Sequence, residues 1–255
     1  WTKFRSSKAG TMVTVDIYPE QKLHDLLRYA VYVKANTEIV DHLLSAGADP
    51  ASCDKLGVNS VHLASHHGQS DLLSMLIGDE GRTFRGSEKE IPYRNAGRSV
   101  LIQSNRQDRE ITKLADTRRL SDDGATALWM ASYNGDLRSC EVLLVFGANP
   151  NLTRLDLEAK NPARTPLGIA VLLGHTDICS LLIRHGAIAG PEILLQTGDQ
   201  KMRDLLVKMP NLDIDSIVPW LGPNGSCVLI DAIARGDTTL VKTLLSNHAN
   251  PEVVA

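Results

Sequence analysis

Aromatic residues are scarce in this chain: three Phe, three Trp and five Tyr, 4% of 255 residues. A core built on stacked rings is excluded, so burial falls to the small and aliphatic side chains within the 43% apolar share. No run of about 18 apolar residues occurs, which excludes a membrane-spanning helix. The opening Trp1-Thr-Lys-Phe-Arg5 is charged and lacks the apolar stretch of a secretory leader. It also lacks an initiator methionine, and the expectation is a fragment of a longer chain.

Catalytic signatures are missing as well. The chain has no GxxxxGK[ST], HExxH, GxSxG or GxGxxG pattern. Asp122-Asp123 is the one paired carboxylate of interest, and it lies in a turn where short acidic residues cap helices. No catalytic, cofactor-binding or metal-ligating residue is assigned, and the chain is read as a non-enzyme without cofactors. The four cysteines show no CxxC or Cys/His spacing for zinc, which points to a reduced, cytoplasmic setting. Cys140 and Cys179 share an offset held elsewhere by Leu73 and Val241, so both are expected in the core. Cys227 takes the place of Thr126 and Thr165, and Cys53 falls in a turn.

What the chain does have is a recurring phrase. It reads Gly57-Val-Asn-Ser-Val-His-Leu-Ala64, then Gly124-Ala-Thr-Ala-Leu-Trp-Met-Ala131, Ala163-Arg-Thr-Pro-Leu-Gly-Ile-Ala170 and Gly225-Ser-Cys-Val-Leu-Ile-Asp-Ala232. Four residues after each comes a glycine (Gly68, Gly135, Gly174, Gly236), followed by an apolar pair such as Leu143-Leu144. Several units close on Gly47-Ala-Asp-Pro50, Gly147-Ala-Asn-Pro150 or Asn247-His-Ala-Asn-Pro251.

Each unit is expected to be a helical hairpin. Thr126 and Thr165 stand where a hydroxyl caps the free N–H groups of a first helix. The glycine permits a left-handed turn, and Leu137, Cys140, Leu143 and Leu144 give the second helix an apolar face. One hairpin cannot bury that face, so at least about three must stack.

Phrase, glycine, Leu-Leu pair and Gly-Ala turn together resemble ankyrin repeats. The resemblance implies an all-α solenoid and a structural hydrogen bond between turns for His62; His175 matches the family's Gly-His pairing, again structural. The spaces between the clear copies are too long for loops, and Gly198 to Leu206 repeats the offsets of the preceding unit, with Pro191-Glu-Ile-Leu-Leu195 as a shortened first helix. Gly97 to Ser104 imitates the phrase in the first space, with Glu110 to Leu114 as a short second helix. His24 to Tyr32 and Thr37 to Leu44 form a pair at the start. The reading is an N-terminal extension over 1–20 and a repeat domain over 21–255. Its seven units run about 21–52, 53–80, 94–120, 121–152, 160–187, 188–213 and 222–252, the first, third and sixth degenerate, with a loop insertion at 81–96. The alternative is four units interrupted by two structured insertions.

In ankyrin-like arrays recognition uses turn tips and the two exposed residues that end each first helix. Here those are His66-His67, Tyr133-Asn134, Leu172-Leu173 and Ala234-Arg235. Tyr133, Leu172 and Leu173 read as a partner-binding groove, because aromatic and apolar anchors dominate interface energetics. Trp129 replaces the usual His one turn behind Tyr133, and its expected packing is inward against the third unit. His66 and His67 diverge by about 100° on a helix and make a poor metal chelate.

Charge is uneven. Residues 82–119 hold ten Lys or Arg against five acids, net +5, on a chain of formal charge −3. Arg106, Arg109 and Lys113 lie in this belt, which would attract an acidic or phosphorylated partner, anionic lipid or another domain of the same chain. A solvated insertion is the plainer reading, and nucleic acid is disfavoured because the chain as a whole is acidic.

The leading function is a non-catalytic protein-interaction scaffold using the concave face and the belt. The alternative is a regulatory or assembly domain of a larger signalling enzyme, such as a kinase or GTPase, or of a channel, docking within its own chain. Leu181 to Ala187 and Ile193 to Leu195 faintly resemble the ankyrin segment of Roco-type leucine-rich-repeat kinases. A weaker alternative is an anionic small ligand, such as a nucleotide, held by Trp129 with Arg106 and Arg109.

Overall fold

A computed structural model describes residues 22–54, 57–78, 125–154, 161–221 and 225–253. Among these the chain builds α-helices in antiparallel pairs: α1 (Lys22–Tyr32) with α2 (Thr37–Ser45), α3 (Ser60–His66) with α4 (Ser70–Ile77), and α5 (Ala127–Asn134) with α6 (Leu137–Val145). Then come α7 (Pro166–Leu172) with α8 (Thr176–Arg184), and α10 (Val228–Ala234) with α11 (Thr238–Ser246). Between those last two pairs, a 3-10 turn at Pro191–Leu195 precedes α9 (Gln200–Leu206). An isolated antiparallel bridge joins Val218 and Ser226.

Local chemistry sets the hairpins. Thr126 Oγ1 accepts from Trp129 N at 3.2 Å and Thr165 Oγ1 from Gly168 N at 2.9 Å. In the second pair Asn59 takes this place: its side chain accepts from His62 N at 2.9 Å, while its own N–H donates to His62 Nδ1 at 3.2 Å. The two bonds satisfy free ends reciprocally. Gly135 turns the fifth helix into the sixth at φ +73°, and a Cβ there would lie 2.7 Å from the His175 ring. Left-handed backbone and close approach of the next unit therefore both select glycine.

First helices lie inside the stack, so α5 and α7 are buried over nearly their whole length. Second helices are amphipathic: α8 buries Ile178, Cys179, Leu181 and Leu182 and leaves Asp177 and Arg184 in water. One core cluster runs from Leu27 through Leu73, Leu143, Leu182 and Met202 to Ala249. Cys140, Cys179 and Cys227 are buried within it, and burial pushes the Cys140 and Cys179 thiols up to about 12.

α3 packs directly on α5, and α4 on α6. Asn134 Nδ2 crosses this interface to His66 O at 2.7 Å. Residues 94–120, the insertion at 81–96, Asp122-Asp123 and the extension over 1–20 lie outside the described residues.

Turns zip neighbouring units together. Asn151 donates to Gly186 O at 3.0 Å and accepts from Ile188 N at 2.8 Å. Asp215 accepts from Asn250 N at 2.8 Å.

Candidate functional site

The exposed ends of the first helices form a row along one side of the stack. Tyr133 and Leu172 are each 50% exposed and Leu173 44%. Tyr133 and Leu172 hold the same position in helices that pack on each other, α5 and α7.

Next to them, the rings of the earlier units touch in sequence. His66 and His67 meet edge-on at 5.1 Å, and Tyr32 meets His67 edge-on at 5.7 Å. Tyr32 and Val33, both exposed, extend the row into the first unit. The sequence reading missed them because Lys34, at φ 55°, adds a residue to that turn and shifts the frame before Asn36. Burial, then His66, then Lys34 lower the His67 pKa, so His67 resists protonation.

Trp129 is not part of the open row. It is 7% exposed, stacked on Tyr133 at 5.4 Å and 15°, with the Arg154 guanidinium 4.3 Å from its ring centroid. Its Nε1 donates to Ala163 O at 2.7 Å, in the following unit. Among the described residues Trp129 packs forward, into a small cluster with Ala125, Met130, Ala163 and Ile169, while the unit at 94–120, expected from the sequence to pack against it, lies outside the described residues. The bond to Ala163 O is a hydrogen bond between units, made from the phrase position that His62 holds in the second pair. A ring so covered offers no open face to a stacked base, which removes the Trp129 part of the nucleotide reading.

Asn134 bonds to the backbone of the preceding unit, so its amide is engaged in stacking. Arg235 pairs with Asp231 at 2.5 Å on its own helix and is exposed. The described residues thus bring together His66, His67, Tyr133, Leu172 and Leu173 and leave Arg235 in the last unit. Arg106, Arg109 and Lys113 lie outside the described residues.

Comparison with known proteins agrees with this architecture. The family model of ankyrin repeats, three copies, matches residues 99–193. Residues 99–193 carry ankyrin repeats. Over 139 residues it is 32% identical to Ankyrin repeat and SOCS box protein 14 of Mus musculus, covering 54% of this chain and 18% of that protein. Over 80 residues it is 40% identical to Dynein axonemal heavy chain 12 of Bos taurus, covering 31% of this chain and 18% of that one. The chain thus matches less than a fifth of either relative. Ankyrin repeats generally mediate protein–protein interaction. Among the described residues no helix is long and apolar enough to cross a membrane.

Proposed function

We propose that this ankyrin-repeat chain is a non-catalytic scaffold that seats a protein partner along Tyr32, Val33, His66, His67, Tyr133, Leu172 and Leu173. The observation that carries the reading is the exposure of Tyr133, Leu172 and Leu173 on adjoining units, beside a run of touching rings. Large apolar side chains held half in water by a rigid helix array are pre-organised anchors. Trp129 and Asn134 act behind them, fixing the Tyr133 ring and the spacing of the units. The belt of Arg106, Arg109 and Lys113 adds attraction for an acidic or phosphorylated partner. Affinity capture with the chain tests the groove: Tyr133→Ala with Leu172→Asp abolishes capture at unchanged helicity, and capture that survives refutes the assignment. Reversing the three belt residues to Glu reduces the salt-sensitive part of binding. Equal binding at low and high salt removes the belt.

A second reading is favoured by the small share of each relative that the chain spans. In it the same row docks another domain of a longer signalling enzyme or channel, and the captured partner is a segment of the parent protein.

A further inference from the structure

We propose that the outer face of the last helical pair, α10 with α11, is a unit-to-unit interface covered by a further helix–turn–helix unit continuing the stack after Val253. Ile233 lies three residues before its hairpin glycine and is 61% exposed. The same position in interior units is Ser65 at 0%, Ser132 at 0% and Val171 at 1%. Six residues before the glycine, Ile230 is exposed, whereas His62, Trp129 and Gly168 are buried. On the second helix Leu245 is exposed, whereas Ile77 and Leu144 at its position are buried. In the interior units these positions are covered where the next hairpin packs on, α3 under α5, α5 under α7 and α4 under α6. Ile230, Ile233 and Leu245 thus stand at positions that the stack covers elsewhere, and large apolar side chains are costly to leave in water.

The exit of the chain matches. Asn250 Oδ1 accepts from Glu252 N at 2.9 Å, as Asn149 Oδ1 accepts from Asn151 N at 2.9 Å and Asp49 Oδ1 from Ala51 N at 2.8 Å. Both of those earlier turns lead the chain into its next hairpin. The face is therefore continuous with an established interface, and the turn delivering chain to it is the one already used inside the stack.

The probe is a copy of residues 121–150, which include the hairpin that seats on α3 and α4 in this structure, appended after Ala255. The fused chain melts higher than the parent by about 5 °C, and amide exchange in α10 and α11 slows. Ile233→Asp with Leu245→Asp cancels the gain in the fused chain and leaves the parent's melting near its starting value. A fused chain that melts no higher, or a gain that survives the two Asp substitutions, overturns the proposal. Ile39, exposed on the opposite end of the stack where Leu72, Ile178 and Leu240 are buried, supplies the control. If the parent chain sediments as a concentration-dependent oligomer that dissociates with either Ile233→Asp or Ile39→Asp, a second copy covers the face and the proposal is overturned.

Discussion

Arg203 and Asp237 clasp the two C-terminal units: Nη2 lies 2.5 Å from one carboxylate oxygen and Nη1 3.2 Å from the other. Thr239 Oγ1 accepts a further bond from Nη1 at 2.9 Å. The guanidinium is buried and the carboxylate sits at its rim.

That asymmetry makes the two partners unequal. Asp237→Ala strands a buried cation and costs about 3 kcal/mol, whereas Arg203→Met costs less, because Asp237 turns to water. Urea unfolding of both variants checks the order.

The Arg203 bond, with Leu240 N and Thr239, holds the Asp237 carboxyl far below the usual carboxylate range. A depressed folded value means stability that is present above the unfolded pKa and lost as pH falls through the folded one. The wild type loses stability progressively below about pH 4, and Asp237→Asn loses less over that window. Helicity followed during acid titration measures the difference.

Gly135→Ala and Gly174→Ala separate two costs. Both positions are left-handed, but a Cβ at Gly174 meets open space, whereas one at Gly135 meets the His175 ring at 2.7 Å. Gly174→Ala costs about 1 kcal/mol, and Gly135→Ala costs more. Adding His175→Ala to Gly135→Ala recovers the steric excess alone, read from a double-mutant cycle of thermal melting.

Trp129→Phe keeps a ring but deletes the bond to Ala163 O, and it lowers stability by about 1 kcal/mol or more. Partner capture falls with it only through Tyr133, so Tyr133→Ala weakens capture more while destabilising less. Binding and melting measured on both variants test the ordering.

Thiol labelling distinguishes Cys53 from the rest. Half-buried Cys53 reacts in the native protein, whereas Cys140, Cys179 and Cys227 label only after unfolding. Mass spectrometry of pulse-labelled protein reads this directly.

Much of the architecture is visible in the sequence because it depends on local chemistry. The phrase ending at Ala131, the glycine at 135 and the Leu143-Leu144 pair each state their own part of a hairpin. Pro191 to Leu195 is a short 3-10 helix for reasons its proline and brevity make plain. Neighbour identity is another matter: nothing in Asn134 says that its amide will meet His66 rather than a residue of 94–120. The forward packing of Trp129 on Ala163 is hidden for the same reason, since a side chain at the His position can turn toward either neighbour. Arg203 to Asp237 is likewise a contact between units, invisible until the stack is assembled.

Direct packing of α3 on α5 also bears on evolution and folding of the array. Gly78 and Ala125 are the described residues on either side of this joint between the second and third pairs. The cost of closing a connection grows only with the logarithm of its length, about 0.6 kcal/mol per doubling. This joint can therefore absorb insertions and deletions at little thermodynamic cost, while cooperativity passes across it through Asn134 and the apolar faces on either side.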